Sequence, residues 1–419
     1  MSDPPARLFL GVDWALKEHQ VCALSPQGEI LGEKAFAHSG DGLKDLVSWL
    51  DRLSAGKLNE VWVAIETPHG AVVETLLERG LQVFSINPKQ LDRFRDRHSL
   101  AGAKDDRRDA YVLADSLRTD RQCFRHLQVE ASLVLELREW SRIHDELKQE
   151  RVRFVNRIRD QLVRYFPQYL ELTEDVGEDW FLDLWRLIPT PEAAAKASAT
   201  RLAKLLKRYR IRRLTTSQVL EKLRTRPISV APGTVEASTA HIRLVADLLQ
   251  VVNRQIRDCG KKLESILEDF GTADDESENE PRHEQRDVVI LRSLPGVGRI
   301  VAATLLSEAA EPLRRRDYHT LRALAGVAPV TLRSGKSWRV IMRYACHPRL
   351  RVACYHLARV AMRDDEGSRA FYQRMRKRGK THGRALRAVG DRLLRVVCSM
   401  LRNGTTYDPS RMQPASSPS

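Results

Sequence analysis

Three things are scarce in this chain, and each scarcity removes a class of protein. No apolar stretch approaches the ~18 residues that a membrane-spanning helix needs, and MSDPPARLFL at the N-terminus lacks the basic-then-apolar order of a secretion signal. No membrane partner is expected, and the cytoplasm is the default location. The six cysteines (Cys22, Cys123, Cys259, Cys346, Cys354, Cys398) stand apart with no C-x-x-C pair, which argues against a zinc ribbon or a disulfide scaffold and favours a reducing compartment. Acidic residues nearly vanish between Thr331 and Arg402, where 19 Lys/Arg face only Asp364, Asp365, Glu366 and Asp391. The chain's formal net charge is +15, so that segment alone accounts for it and the remainder sums to near neutrality. A local excess of this size is the footprint of a polyanion, most often nucleic acid.

What is present is a globular composition, 42% hydrophobic and 30% charged over 419 residues, enough for two or three domains at roughly 100–200 residues each. The first third alternates strand and helix signals. RLFLGVDWA, HQVCALSP and EILGEKAFAHS are short β-rich runs divided by turn residues, a three-strand meander. DGLKDLVSWLDRL has helical spacing with Asp41 as the expected N-cap, EVWVAIET reads as a buried strand, GAVVETLLERG as a helix closed by Gly80, and LQVFSIN as a further strand. PKQLDRFRDRHSL and DDRRDAYVLADSLRTD are helical. This α/β order, a meander followed by β-α-β-α units, is that of the ribonuclease-H-like fold, expected over residues 1–128.

Residues 129–270 read as a helical, coiled-coil-like arm built on two long amphipathic helices with a break around PISVAPG. An acidic polar linker is expected over 271–287, an all-α domain over 288–405, and a disordered tail over 406–419.

Residues 103–115, AKDDRRDAYVLAD, hold four carboxylates among three basic residues. By itself this is an ordinary solvated helix face. Two other acids change its meaning. Asp13 lies within the apolar run LFLGVDWA, where an acid is costly unless paired or bound to metal. Glu66 ends the run VWVAIE. Asp106 and Asp109, three apart, share a helix face, with Asp105 and Asp115 as alternatives for the helix ligand. A strand Asp, a strand-end Glu and a later Asp-x-x-Asp form a DEDD pattern, and hard oxygen ligands of this kind suit Mg²⁺, with Mn²⁺ as a substitute.

Two further motifs lie in the C-terminal third. Leu294-Pro295-Gly296-Val297-Gly298 before a helix has the form of a helix-hairpin-helix element, which grips a nucleic-acid backbone through free N–H groups, here at Gly296 and Gly298. The same five residues also suit a tight turn between core helices. Ser334-Gly335-Lys336-Ser337 reads as a polar loop between an apolar helix and a very basic one. A serine there, among Arg333, Lys336, Arg339 and Arg343, is accessible and surrounded by cations, as attack on phosphorus requires, although Ser-Gly in a loop is more often only a turn. Arg384 and Arg387 share one helix face downstream and read as backbone-binding residues.

The DEDD set resembles that of the Holliday-junction resolvase (RuvC-like) branch of the ribonuclease-H-like superfamily. Together with a helical arm and L-P-G-V-G…A-A-T-L-L-S-E…L-A-G-V-A-P…S-G-K, it resembles the DEDD insertion-sequence transposases, the bridge-RNA-guided serine recombinases, over nearly the whole chain. That resemblance implies Mg²⁺ on Asp13, Glu66, Asp106 and Asp109, and attack on DNA by Ser334 to give a covalent phosphoserine link. It further implies donor and target DNA as substrates, a structured guide (bridge) RNA, and a homo-oligomer in which one subunit's acids complete a site around another's serine, in the bacterial cytoplasm at the nucleoid. Asp105 stands as the second choice to Asp106, and Ser337 is a second serine three residues from Ser334. A metal-dependent endonuclease or junction resolvase using water is the alternative activity; a non-catalytic RNA-binding scaffold is a third.

Overall fold

The computed structural model describes residues 6–98, 105–128, 131–272, 281–335 and 337–412. These divide into two compact units, residues 1–131 and 132–419.

In the first unit, β1 (Leu8–Asp13), β2 (Glu18–Leu24) and β3 (Ile30–Ala37) form an antiparallel meander. Helix α1 (Gly40–Leu53) leads to β4 (Val61–Ile65), α2 (Ala71–Glu78) to β5 (Gln82–Ser85), and α3 (Pro88–His98) and α4 (Asp106–Thr119) to a short β6 (Arg125–His126). The sheet order is β3-β2-β1-β4-β5-β6, with β4 and β5 parallel to their inner neighbours and β6 antiparallel at the edge. The cap of α1 differs from expectation: Ser39 accepts from the Gly42 N–H, and Asp41 lies inside the first turn, where the helix dipole favours an acid.

Period-two alternation sorts this sheet into two cores. Leu8, Leu10, Val12, Val61, Val63 and Ile65 pack with Leu46 and Leu50 of α1 and Val73 and Leu76 of α2. On the other face Phe9, Cys22, Ala64 and Phe84 pack with Leu91 of α3 and Ala110, Leu113 and Ala114 of α4. Gly11 is in phase with this second face, and α4 lies directly on it. A Cβ at residue 11 would stand 1.9 Å from the Ala110 carbonyl oxygen and 2.7 Å from the Ala114 nitrogen.

The second unit opens with α5 (Ser132–Tyr165). A group of short helices follows: α6 (Asp179–Leu187), α7 (Pro191–Ala195), α8 (Ala199–Arg208) and α9 (Thr216–Leu223). The chain returns along α10 (Pro232–Thr272), antiparallel to α5: Glu136 pairs with Lys262 at 2.9 Å and Arg151 Nε donates to Asn253 at 2.9 Å. The short helices enclose an aromatic core of Tyr165, Phe166, Tyr169, Phe181 and Trp185, joined by Ile242 and Leu249 of α10. Its polar tips are satisfied: Trp185 donates to the Tyr165 hydroxyl at 2.9 Å, and Tyr165 and Tyr169 donate to the Pro189 and Ile188 carbonyls, each at 2.8 Å.

The other end of the α5–α10 pair packs with α11 (Pro281–Ser293), α12 (Arg299–Glu308), α13 (Ala310–Arg314), α14 (Tyr318–Leu324), α15 (Pro348–Asp364) and α17 (His382–Asn403), while α16 (Glu366–Lys377) covers α15 and α17. Among the described residues no helix is long and apolar enough to cross a membrane.

Three expectations are corrected. The C-terminal region is not all-α: β7 (Val330–Ser334) and β8 (Ser337–Ile341) form an antiparallel ribbon where a polar loop was expected. Its strands are rich in β-branched and aromatic residues around a glycine at φ +53°, the recipe of a two-residue hairpin. The expected linker, 271–287, is helical where described: α10 runs on to Thr272 and α11 begins at Pro281, while 273–280 lie outside the described residues. The tail is ordered through Met412, because the Tyr407 hydroxyl donates to Asp365 at 2.9 Å and its backbone N–H to Ser293 at 2.8 Å; only 413–419 lie outside the described residues.

Candidate functional site

The alternation that places Gly11 against α4 also sets the acids. Counting by two from Phe9 and Gly11, Asp13 faces the α4 side at the end of β1; counting from Trp62 and Ala64, Glu66 does the same just past β4. Val12 pairs with Ile65 in the parallel register, so Asp13 and Glu66 leave adjacent strands side by side. Above them, α4 starts at Asp106. Asp105 is its N-cap, accepting from the Arg107 N–H at 3.1 Å, which commits that carboxylate locally. Asp109, 5% exposed, is one turn in.

Asp13 feels the other three acids. Burial, and then the charges of Asp109, Asp106 and Glu66, push the Asp13 carboxyl up from 3.8 to about 6, against the opposing pull of Arg95. Arg95 of α3 is the residue sequence reasoning missed. It grips Asp109 with both arms, Nε to Oδ1 at 2.8 Å and Nη2 to Oδ2 at 3.0 Å, reaches Asp92 at 2.8 Å and lies 3.8 Å from Glu66. Asp115, the other alternative ligand, is held by Arg118 at 2.6 Å.

Acids repelling one another at the end of adjacent strands, all with hard oxygen donors, fit a divalent cation by chemistry. The guanidinium of Arg95 supplies that positive charge in this structure, and among the described residues no three His, Cys, Asp or Glu side chains are drawn together tightly enough to grip an ion as they stand.

A pH dependence follows. Because the Asp13 carboxyl is raised on folding, the folded protein holds its proton up to about pH 6 whereas the unfolded chain releases it near 3.8. The folded state therefore loses stability as pH rises through that window, and the loss is complete above it. In EDTA, Asp13→Asn should melt above the parent at pH 7.5 and match it below pH 4. A gain of the same size at both pH values would refute this account of Asp13.

The C-terminal candidates sit on the ribbon and beside it. Ser334 and Ser337 are directly opposed, the last pair before the turn. Cross-strand partners share a face and successive pairs alternate, so both serines lie on one face with the Leu332–Arg339 pair, and Arg333 pairs with Trp338 on the other. Every residue of β8 is exposed, Trp338 to 68%. Lys336 lies outside the described residues. Arg343 follows the ribbon, with a buried Nε that has no hydrogen-bond partner among the described residues. Arg384 of α17 reaches the Val340 carbonyl at 3.5 Å; burial and the Arg384 charge push the Arg387 guanidinium down.

Gly296, at φ +93°, lets the turn between α11 and α12 sit against α15, since a Cβ there would stand 2.7 Å from the Leu357 carbonyl oxygen. Gly298 caps α12 beside open space. The Leu-Ser-Glu end of α12 is an anchor: Arg138 of α5 donates to the Ser307 carbonyl at 2.6 Å. Glu308 takes Arg349 at 2.7 Å and Arg142 at 3.2 Å, with His347 at 3.5 Å.

Comparison with known proteins supplies the context. A family model described as "Transposase" matches residues 10–167, and one described as "Transposase IS116/IS110/IS902 family" matches residues 288–373. The chain is 55% identical over 206 residues to "Putative transposase y4uE" of Sinorhizobium fredii, an alignment spanning 49% of this chain and 57% of that protein. Two Streptomyces coelicolor proteins align nearly end to end at 29% identity: "Mini-circle putative transposase for IS117", over 96% of both chains, and "Insertion element IS110 uncharacterized 43.6 kDa protein", over 97% of this chain and 96% of that one. The two family models together cover more than half of the 419 residues, one over the acidic site and one over the serine ribbon, and on that ground the chain belongs to the IS110/IS116 family of insertion-sequence transposases, enzymes that cut and rejoin DNA.

Proposed function

We propose that this transposase is a serine recombinase with an acidic metal site. The observation that carries the reading is that Glu66, Asp106 and Asp109 lie within electrostatic reach of Asp13, where β1 and β4 end beneath α4. The sheet order, with an antiparallel meander on one side of β1 and parallel strands on the other, supports a ribonuclease-H-like, RuvC-like assignment. The engagement of Asp105 as N-cap favours Asp106 as the ligand. Those four acids would hold Mg²⁺ or Mn²⁺. A bound divalent ion would supply positive charge to a phosphate and raise the acidity of a hydroxyl. Arg95 holds Asp109 in place and balances its charge.

Ser334 is the nucleophile in this reading. It stands at the tip of an exposed ribbon, next to a glycine, with Arg339 on its own face and Arg343, Arg384 and Arg387 as further cationic donors around the phosphodiester. Its Oγ attacks phosphorus: one O–P bond forms, one P–O bond of the strand breaks, and the serine proton ends on the departing oxygen as a hydroxyl. The number of phosphodiester bonds is unchanged, so that hydroxyl or another can reverse the step and rejoin DNA without an energy source. The motif resemblance supports guidance by a structured RNA that pairs with donor and target DNA, and assembly as a homo-oligomer. Arg333, Lys336, Gly296 and Gly298 belong to the backbone-gripping surface.

The test is covalent trapping with the element's RNA, donor and target DNA and Mg²⁺. A denaturant-resistant protein–DNA adduct is expected from the parent and from Ser337→Ala, and none from Ser334→Ala or Asp106→Ala. Metal-dependent cleavage without an adduct, indifferent to Ser334→Ala, would instead establish the water-using endonuclease.

A further inference from the structure

The module α6–α9 lies between the two segments matched by the family models, and nothing above gives it a task. Its charge is as lopsided as that of the C-terminal segment. From Arg201 to Arg226 there are ten Lys/Arg and a single acid, Glu221. Acids elsewhere in the chain cancel this cluster in the net charge, which is why it escapes a sum over the sequence.

On α8 the charges are sorted by face. Leu202 and Leu206, 0% and 4% exposed, point into the module's core. At 100° per residue, Arg201, Lys204, Lys207 and Arg208 fall on the opposite face, and all four are exposed. Ion pairing within the module takes up Arg213, with Glu178 at 3.5 Å, and Lys222, with Glu171 at 3.5 Å; Arg208 reaches Asp183 only at 4.0 Å. Among the described residues no acid lies within ion-pair distance of Arg201, Lys204 or Lys207.

Helix stability does not explain the pattern. Lys207 and Arg208 suit the C-terminal end of the dipole, but Arg201 is the third residue of α8, where a cation is disfavoured, and the first turn holds no acid. Arg210 closes the helix at φ +55°, its N–H bonded to the Lys207 carbonyl and that of Ile211 to the Leu206 carbonyl. Glycine fits that left-handed position without strain, and an arginine there costs about 1 kcal/mol. Cations are thus kept at two places where the helix alone would reject them. The face carries charge without an exposed aromatic platform, since Tyr209 is half-buried beneath the Arg208 guanidinium. Such a surface suits a polyanion whose bases are already stacked on each other, a duplex rather than a single strand.

We propose that the module is a second DNA grip, in which Arg201, Lys204, Lys207 and Arg208, continued by Arg210 and Arg212, hold the phosphate backbone of duplex DNA apart from the C-terminal basic segment. Binding is read without strand cleavage, so the inference stands or falls separately from the serine chemistry.

The experiment uses the full chain and a duplex of arbitrary sequence, with fluorescence anisotropy across a salt series. For Arg201→Gln/Lys204→Gln/Lys207→Gln, the slope of log affinity against log salt should become shallower by between two and three, at about 0.9 per lost phosphate contact. Arg201→Lys/Lys204→Arg/Lys207→Arg should keep the parent slope. So should Lys44→Gln/Arg52→Gln/Arg79→Gln, which removes three exposed charges from the first unit. A parental slope in the first variant overturns the proposal, and so does an equal change in the last. A matched RNA duplex is the remaining arm: loss of RNA affinity with DNA binding untouched would overturn the assignment to DNA.

Discussion

Gly11→Ala is expected to unfold or displace the α4 layer of the first unit. The new methyl carbon would stand 1.9 Å from one backbone atom of α4 and 2.7 Å from another, so no side-chain rotation relieves it. Either the helix retreats or β1 bends, and a cost of about 3 kcal/mol, the upper end for overpacking, is the result. The retreat also carries Asp106 and Asp109 away from Asp13. The melting temperature of the full chain should fall, amide exchange in α4 should rise above that in α1, and the covalent adduct should be lost. A parental melting curve with a normal adduct would mean that α4 is not seated on Gly11.

Glu308→Ala carries the second large effect, in the other unit. This carboxylate is 4% exposed and joins Arg142 of α5, Arg349 of α15 and the C-terminal end of α12. Burial pushes its carboxyl up, but the hydrogen bond from Arg142 and the charges of Arg142, His347 and Arg349 outweigh that and hold it below its ordinary value. Removing it takes from two partly buried guanidiniums their most buried partner, leaving Arg142 with Glu139 at 3.4 Å and Arg349 with the Ser141 hydroxyl at 2.7 Å. The loss is about 3 kcal/mol, the lower end for breaking a buried pair. Glu308→Gln, which keeps the shape and part of the hydrogen bonding, should lose less. The sign with pH is opposite to that of Asp13. A depressed carboxyl stabilises the fold above its unfolded value and releases that stability as pH falls through the folded value, so Glu308→Ala should converge on the parent in strong acid. Thermal melts across pH test both points; equal losses for Ala and Gln would show that the carboxylate charge is not what is missed.

How much of this was legible in the sequence depended on whether burial had a simple period. Strands β1, β2, β4 and β5 were readable because one or both faces of each are buried, and the same alternation put Asp13 and Glu66 on the α4 side. Strand β3, where Phe36 alone is buried, was readable only from the turn residues that bound it. Arg95 left no trace, since it meets Asp109 across a gap of 14 residues and looks like any other base in a charged helix. The β7–β8 ribbon was misread as a loop because both of its faces are open to solvent, so it lacks the in-out rhythm that marks a strand. Helix α11 was missed at its start because its opening residues, Pro281 to Asp287, are almost without apolar side chains and carry no helical period. The cationic face of α8 was invisible for a different reason, its charge being offset by acids elsewhere in the total.

The return of α10 along α5 also bears on the order of folding. The two helices meet across about a hundred residues of intervening chain, from Arg151 to Asn253 at one crossing and from Glu136 to Lys262 at another. Closing so long a loop in an extended chain carries an entropy cost before any contact rewards it. The aromatic core of α6–α9 forms from contacts close in sequence, between Tyr165 and Trp185 for example, and its collapse draws the end of α5 and the start of α10 together. The short helices are therefore expected to form ahead of the long pair, and Trp185→Ala should slow refolding of α5 and α10, helices it touches only at one end; a parental refolding rate in stopped-flow would mean that the long pair assembles without them.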